Sequence, residues 1–209
     1  MSIIKTDAQL ERHFFEIGKK HWADFDVYAE SKIRKYVEKT SPELLGSRGK
    51  RILDLGAGPG HYSYFLKNNG HDTFGIDRAV KDKTTSCYEY LAKKYDLPHV
   101  FGGVEEFVGT ENFGFEDKFD VINMRGAFSA IIETLAKNNI GAERLFDRLS
   151  NSLKDSDSYI IFCLNRGRLD VSLEALKNQA VLRMKKIGEL TYKGFPQVSL
   201  QEAEIAGEN

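Results

Sequence analysis

An acidic residue and three alternating glycines form a pattern that suits binding of a nucleotide-like ligand. Asp54 stands two positions before Gly56, and Gly58 and Gly60 follow. Because glycine has no Cβ, the backbone here can turn sharply and approach a ligand closely. About 20 positions further on, Asp77 carries a carboxylate that can accept hydrogen bonds from both hydroxyls of a ribose. These residue types indicate chemistry on a ligand that contains a nucleoside.

The elements around these residues have the order of a nucleotide-binding βαβ unit. The short run Ile52–Leu55 predicts a buried strand that leads into the glycines. A helix is expected to begin after Gly60 and to end near Gly70, and a second strand over 73–76 leads to Asp77. Strand, glycine turn, helix, strand and terminal acid in this order position a ligand at the start of the helix, where free N–H groups point outward.

The glycine spacing distinguishes between nucleotide classes. A dinucleotide fingerprint reads G-x-G-x-x-G, whereas this chain has G-x-G-x-G over 56–60. With Asp54 in front, the pattern resembles motif I of the class I S-adenosylmethionine-dependent methyltransferases. The resemblance implies S-adenosylmethionine (AdoMet) as cofactor, with Asp77 on the ribose hydroxyls and Asp54 near the methionine ammonium. It also implies that Gly56, Gly58 and Gly60 pass the amino-acid part of the cofactor.

The resemblance implies three further contacts with the cofactor. Arg78 lies beside the ribose acid, and Asn123 lies in the predicted strand Phe119–Met124, which resembles motif IV and would face both cofactor and substrate. Tyr28 lies in an N-terminal helical segment that resembles a lid, and many members place an aromatic residue there against the cofactor. An aromatic stripe at helical spacing is equally typical of residues that pack on the sheet.

The chain departs from the family pattern at Gly103 and at Asp155-Ser156, the second of which stands where the family usually has glycines. Residues 102–107 stand where the family usually has a glycine followed by an acid that contacts the adenine amino group, and this chain has Gly103 in place of the acid. Adenine recognition would then fall to Glu105 or to backbone groups. Glu105 is also interpretable as a solvated loop acid.

Arg125 ends the predicted strand that resembles motif IV, at the edge where ligands bind in open α/β sheets. Its planar guanidinium suits an anionic group of the substrate, or it pairs with a nearby acid and stiffens the loop. His13 and His21 have the residue type of a general base and are equally typical of the surface, so the catalytic residue stays unassigned.

The composition limits the partners of the protein. The chain has 209 residues, 30 of them basic and 31 acidic, and the net charge of −1 argues against a large nucleic-acid surface. Cys87 and Cys163 lack the spacing of metal ligands or of a disulfide framework, which favours reduced thiols. No run approaches the about 20 apolar residues of a membrane span, and polar residues interrupt the N-terminal region. We therefore expect a cytoplasmic protein with no metal, no membrane contact and an open oligomeric state.

The resemblance implies a Rossmann-like α/β fold with a seven-stranded mostly parallel sheet, helices on both faces and an antiparallel C-terminal hairpin. We expect a helical lid over residues 1–45, a methyltransferase core over 46–200 and a flexible tail over 201–209. The implied activity is AdoMet-dependent methylation of an oxygen or nitrogen atom of a small metabolite. A non-catalytic AdoMet-binding or regulatory relative stays open, as does, with less support, an NAD-dependent oxidoreductase.

Overall fold

Seven strands form one sheet in the computed structural model, which describes Gln9 and residues 24–78, 83–109, 118–165, 167 and 169–197. The strands are β1 (Arg51–Leu55), β2 (Asp72–Asp77), β3 (His99–Phe101), β4 (Val121–Arg125), β5 (Tyr159–Cys163), β6 (Leu182–Gly188) and β7 (Thr191–Pro196). Their order is β3-β2-β1-β4-β5-β7-β6, and β7 runs antiparallel to both β5 and β6, whereas the other pairs are parallel. The predicted fold class is confirmed.

Helices connect the strands and cover both faces of the sheet. They are α1 (Phe25–Tyr28), a π-helix (Ala29–Ile33), α2 (Arg34–Thr40), α3 (Glu43–Gly46), α4 (His61–Asn68), α5 (Lys83–Lys94), α6 (Val104–Gly109), α7 (Phe128–Lys137), α8 (Ala142–Asn151) and α9 (Leu169–Asn178). None of the helices in the described part of the chain is long and apolar enough to cross a membrane.

Alternation along the central strands divides the core into two layers. In β1, Ile52 packs with side chains of α4 and the π-helix, whereas Leu53 packs on the opposite face with residues of α7 and α8. In β5, Ile161 and Ile160 divide in the same way. Because both faces are covered, β1, β4 and β5 carry apolar side chains on both faces, as expected for central parallel strands, and Asp54 and Asn123 are buried polar exceptions.

The C-terminal hairpin forms with a different turn from the one that the sequence suggests. Gly194 and Pro196 predict a turn, with the last strand over 195–200, but both residues lie within β7 and the turn falls at 189–190. A Cβ on Gly194 would lie 3.0 Å from the ring of Phe162 and 3.1 Å from the sulfur of Met184. Glycine therefore leaves room for neighbours from the adjacent strands.

The helical segment before β1 packs on the face that carries α4. Ala29, Ile33 and Val37 are buried in one apolar cluster with Ile52 and Phe65. The first predicted N-terminal helix, His13, His21 and the predicted tail 201–209 lie outside the described residues. The boundaries of lid, core and tail remain predictions.

Candidate functional site

The glycine turn between β1 and α4 is fixed against the ends of two neighbouring strands. The N–H groups of Gly56 and Ala57 donate to the carbonyl oxygen of Ile76, at 2.8 and 3.1 Å. All three predicted glycines have positive φ, 81° for Gly56, 55° for Gly58 and 90° for Gly60. A Cβ on Gly56 would overlap Cβ of Ala127 in the loop after β4. Glycine is therefore required by both conformation and space, and the turn is a pre-formed concave surface.

Asp77 lies at the carboxyl end of β2 and faces this turn. One carboxylate oxygen accepts a hydrogen bond from the N–H of Gly58, and the other accepts one from the N–H of Arg78 at 2.7 Å. Burial raises the pKa of Asp77 despite these two bonds. Each oxygen keeps a further lone pair, so the carboxylate can still accept hydrogen bonds from ligand hydroxyls.

A cavity of about 470 Å³ extends from Asp77 between β2 and α7. This volume lies within the about 300–1,000 Å³ that is usual for small-molecule sites. Its charged side chains come from the end of β2 and from the first turn of α6, and part of its apolar wall comes from α7. The lining includes Gly56, Asp77, Arg78, Gly103, Glu105 and Ile131.

The carboxylate of Glu105 stands where a side chain on residue 103 would begin. A Cβ built on Gly103 would overlap the carboxyl carbon and one oxygen of Glu105, and both residues line the larger cavity. Glu105 lies in the first turn of α6 and bends back toward the preceding loop. An acid is thus present at this wall although the expected sequence position is glycine.

A second cavity of about 170 Å³ lies on the other side of the glycine turn, and Gly56 lines both cavities. Asp54 lines the smaller one; it is 4% exposed and accepts a hydrogen bond from Nδ2 of Asn123 at 2.7 Å. Burial raises the pKa of Asp54 to about 7, while the bond from Asn123 and the charge of Arg125 oppose the rise. The acid is therefore poised near neutrality, where a cationic ligand group would favour its ionised form.

A hydrogen-bonded line joins this acid to the helical segment before β1. The hydroxyl of Tyr36 in α2 donates to Oδ1 of Asn123 at 2.9 Å, and Asn123 in turn donates to Asp54. Burial raises the pKa of Tyr36 well above its ordinary value, so its hydroxyl stays protonated and acts as a donor. Both ends of the Asn123 amide are thus used, which fixes its orientation.

Arg125 lies at the end of β4 and lines the smaller cavity. Its guanidinium carbon lies 5.1 Å from the centroid of the Tyr36 ring. It forms no hydrogen bond and no salt bridge with any described residue, so the structure does not show the acid partner that the sequence left open.

The remaining predicted site residues lie close to the turn without lining either of these two cavities. Gly60 is the N-cap residue of α4. The ring of Tyr28 lies 4.6 Å from the ring of His61, which is itself stacked on Phe25 at 4.2 Å and lines the smaller cavity. The structure therefore brings Asp54, the glycines, Asp77, Arg78, Glu105, Asn123 and Arg125 together, and Tyr28 reaches the site through His61.

Sequence reasoning missed His61, Tyr36 and His99. His61 has a sequence signal, because it directly follows the last glycine of the turn and so must lie at the helix start. Tyr36 has none, since it lies 87 positions from Asn123 and looks like one more aromatic residue of a helical stripe. His99 packs beneath the turn, where burial lowers its pKa to about 4, and its Nδ1 has no hydrogen-bond partner among the described residues.

Comparisons with known proteins agree with this geometry. A family model described as a methyltransferase domain matches residues 25–187, and no curated protein matches the sequence. A TehB-like SAM-dependent methyltransferase from Corynebacterium glutamicum is similar in structure, with a TM-score of 0.56 and 19% identity over 90% of this chain and 98% of its own. The PH0226 protein from Pyrococcus horikoshii has a TM-score of 0.52 and 16% identity, with 85% and 95% of the two chains covered. At these identities the solved structures establish the fold.

Proposed function

Because the chain belongs to the class I S-adenosylmethionine-dependent methyltransferase family, we propose that it methylates an oxygen or nitrogen atom of a small-molecule metabolite. The family makes the protein an AdoMet-dependent enzyme, and the acceptor is the proposed part. The observation that carries the proposal is the pair of cavities that Gly56 lines from both sides, one with a carboxylate suited to a ribose and the other with a carboxylate suited to an ammonium group.

The residues around the two cavities fit AdoMet in three respects. Asp77 keeps acceptor capacity for the ribose hydroxyls, in a cavity large enough for a nucleoside. Glu105 offers an acceptor for the adenine amino group on the wall of the same cavity. Across the glycine turn, Asp54 offers negative charge for the methionine ammonium. Arg78 and Asn123 complete the proposed cofactor site, Arg78 from the larger cavity and Asn123 through its bond to Asp54.

When bound, AdoMet would supply an electrophilic methyl group: the acceptor atom would bond to the methyl carbon as the carbon–sulfur bond breaks, S-adenosylhomocysteine would leave, and the proton of the acceptor would pass to water. The chain itself contributes position: the turn is held by the Ile76 carbonyl and by contact with Ala127 before any ligand arrives. Alignment of this kind can supply about 7–11 kcal/mol of barrier lowering. The proposal therefore needs no dedicated base, and the catalytic residue stays unassigned.

A small acceptor is supported by the size of the site. The smaller cavity has a volume of about 170 Å³ and also takes the cofactor ammonium beside Asp54, so the part of the acceptor that enters it must be small. The proposal is tested by incubating the protein with AdoMet and a panel of small alcohols, phenols, amines and carboxylates. The release of S-adenosylhomocysteine measures turnover.

Asp77→Ala tests the cofactor assignment directly. We expect calorimetric titration to show wild-type binding of AdoMet and S-adenosylhomocysteine but not of NAD, and at least about tenfold weaker binding by the variant, because charge-assisted bonds to the ribose are lost. Asp72→Ala, at the exposed start of the same strand, is the matched control. Equal affinity of Asp77→Ala and wild type would reject the ribose role, and wild-type binding of NAD alone would reject the cofactor.

A further inference from the structure

Arg125 is a cation at the ligand-binding edge of the sheet whose donors have no partner in the described structure. The residue ends β4 and lines the smaller cavity, and its recorded contact is the face of the Tyr36 ring at 5.1 Å. A ring face stabilises the cation but accepts none of the five N–H donors of a guanidinium. These donors are therefore available to a ligand.

Two other arginines show that this arrangement is specific to the site. Arg34 also stacks on a ring, that of Phe65 at 5.2 Å, but its guanidinium donates to Glu30 at 2.8 Å. Arg183 stacks on Phe195 at 5.5 Å without a salt bridge, but it is exposed on β6, so water can satisfy its donors. Arg125 differs from Arg34 because it has no salt bridge with a described residue, and from Arg183 because it is only partly exposed and faces a cavity.

The ionisable groups of the cavity compensate the charge of Arg125 only in part, because Asp54 interacts with it through charge but forms no hydrogen bond or salt bridge with the guanidinium. Asp54 is the one acid among the described residues that line this cavity, and its Oδ1 is engaged by Asn123. His61 and Tyr62, the other titratable residues of the lining, bring no negative charge at neutral pH. A half-buried cation with open donors favours binding of an oxyanion, which a planar fork can hold with two parallel hydrogen bonds.

We infer that Arg125 binds a carboxylate or phosphate group of the methyl acceptor, so that the substrate is a small organic anion. The inference rests on the proposed function, and it specifies the substrate class of that same site. The anionic group would lie at the Arg125 side of the smaller cavity, next to Tyr36, while the larger cavity on the far side of Gly56 takes the nucleoside. Neutral analogues of the acceptor would lack this anchor.

The first test uses the wild-type protein and reads the accessibility of individual arginines. Phenylglyoxal labelling, with modified peptides quantified by mass spectrometry, is carried out with and without S-adenosylhomocysteine. The probes are inorganic phosphate, benzoate and the neutral benzamide. We expect phosphate or benzoate to slow the labelling of Arg125 about tenfold and to leave Arg183 unchanged, because a bound oxyanion covers the guanidinium. Benzamide should protect neither residue, and absence of protection by both anions would overturn the inference.

The second test separates an acceptor from the carboxylate of the cofactor itself. Arg125→Met and the control Arg183→Met are titrated with S-adenosylhomocysteine and with its decarboxylated analogue, which keeps the ammonium group. Because Arg125 lowers the pKa of Asp54, we expect Arg125→Met to weaken both ligands by the same factor, if at all, and to be the only variant that loses benzoate binding. If Arg125→Met weakens S-adenosylhomocysteine more than the decarboxylated analogue, Arg125 holds the cofactor carboxylate and the inference is wrong. Failure of the wild type to bind S-adenosylhomocysteine would instead count against the proposed function, and the labelling without that ligand would still decide the role of Arg125.

Discussion

At the scale of single residues, the site combines two acids whose surroundings differ. Asp77 accepts two backbone hydrogen bonds at the edge of the larger cavity, whereas Asp54 is almost fully buried and accepts a bond from a neutral amide. Burial therefore moves the pKa of Asp54 from about 4 to about 7, close to the pH at which the enzyme would work. Binding of a cationic ligand group can therefore shift Asp54 from its protonated to its ionised form near neutral pH.

This pKa predicts how cofactor affinity depends on pH. Below about pH 7 the free protein holds a proton on Asp54, which must leave before the carboxylate can pair with the ligand ammonium. Affinity for S-adenosylhomocysteine should therefore rise from pH 6 to pH 8, by at most about tenfold per pH unit below the pKa. Calorimetry of wild type and Asp54→Asn measures the slope, which should flatten in the variant. A slope that persists in Asp54→Asn would assign the titration to another group. His99, with its pKa of about 4, stays neutral over this range.

The overlap between Glu105 and the missing side chain of Gly103 predicts an exchange of acids. Glu105→Ala should weaken S-adenosylhomocysteine binding about tenfold, because the adenine amino group loses an acceptor. Gly103→Asp alone should leave the fold intact, because its Cβ would meet only the far end of the exposed Glu105 side chain, and Glu105→Ala with Gly103→Asp should recover affinity to within about threefold of wild type. Calorimetry decides, with the exposed Glu174→Ala in α9 as control. Unchanged affinity of Glu105→Ala would mean that backbone groups bind adenine.

At the scale of elements, the imidazole of His99 fills the space between β2, β3 and the start of α4 at one edge of the sheet. His99 in β3 stands opposite Gly75 in β2, and a Cβ on Gly75 would overlap the His99 ring. The same ring approaches the N-cap of α4, where a Cβ on Gly60 would lie 2.8 Å from Cε1 of His99. Burial lowers the pKa of His99, so the ring serves as a neutral spacer between two strands and the glycine turn.

This packing predicts a coupled pair of substitutions. Gly75→Ala should reduce the free energy of unfolding by about 1–3 kcal/mol, because the added methyl group and the imidazole compete for one space. His99→Ala opens that space, so the double variant should lose less stability than the two single losses added together. Urea unfolding of the four proteins gives the coupling. Strict additivity would show that the ring moves aside freely.

The sequence predicted the elements with a strong local signal and missed contacts between distant ones. The glycine turn and the central strands are each specified by a continuous stretch of sequence. Their type and order were therefore predictable from the runs of apolar residues and the spacing of the glycines. The bond of Tyr36 to Asn123 and the placement of the Glu105 carboxylate depend on how separate elements meet. The predicted position of the hairpin turn was wrong because Gly194 and Pro196 are residue types typical of turns. The contacts of Gly194 with neighbouring strands, which the sequence does not reveal, explain why a glycine lies inside a strand.

At the scale of the whole molecule, the site is built from the ends of β1, β2 and β4, three neighbours at the centre of the sheet. Their loops meet where the strand order reverses between β1 and β4, the position at which open α/β sheets bind ligands. A ligand that contacts all three loops should therefore stabilise the global fold rather than a single loop.

Thermal unfolding should report this stabilisation. S-adenosylhomocysteine at about 100 times its dissociation constant should add about 2.7 kcal/mol to the free energy of unfolding, which raises the Tm of a chain of this length by about 5–10 °C. NAD at the same concentration should leave the Tm unchanged, and Asp77→Ala should reduce the shift with S-adenosylhomocysteine. A ligand that binds by calorimetry without moving the Tm would show that it also binds unfolded chains.

In the π-helix of Ala29–Ile33, one extra residue changes the direction in which the preceding side chains point. A π-turn contains one residue more than an α-helical turn, and each helical residue rotates the chain by about 100° about the axis. The residues before the π-helix are therefore rotated by about that angle about the helix axis, relative to the positions they would have if α2 continued as a regular α-helix. Phe25 and Tyr28 meet His61 at this offset. A one-residue deletion in the bulge is thus the smallest length change that would turn both rings away from His61, so insertions and deletions here change the direction of these side chains more than their distance from α2.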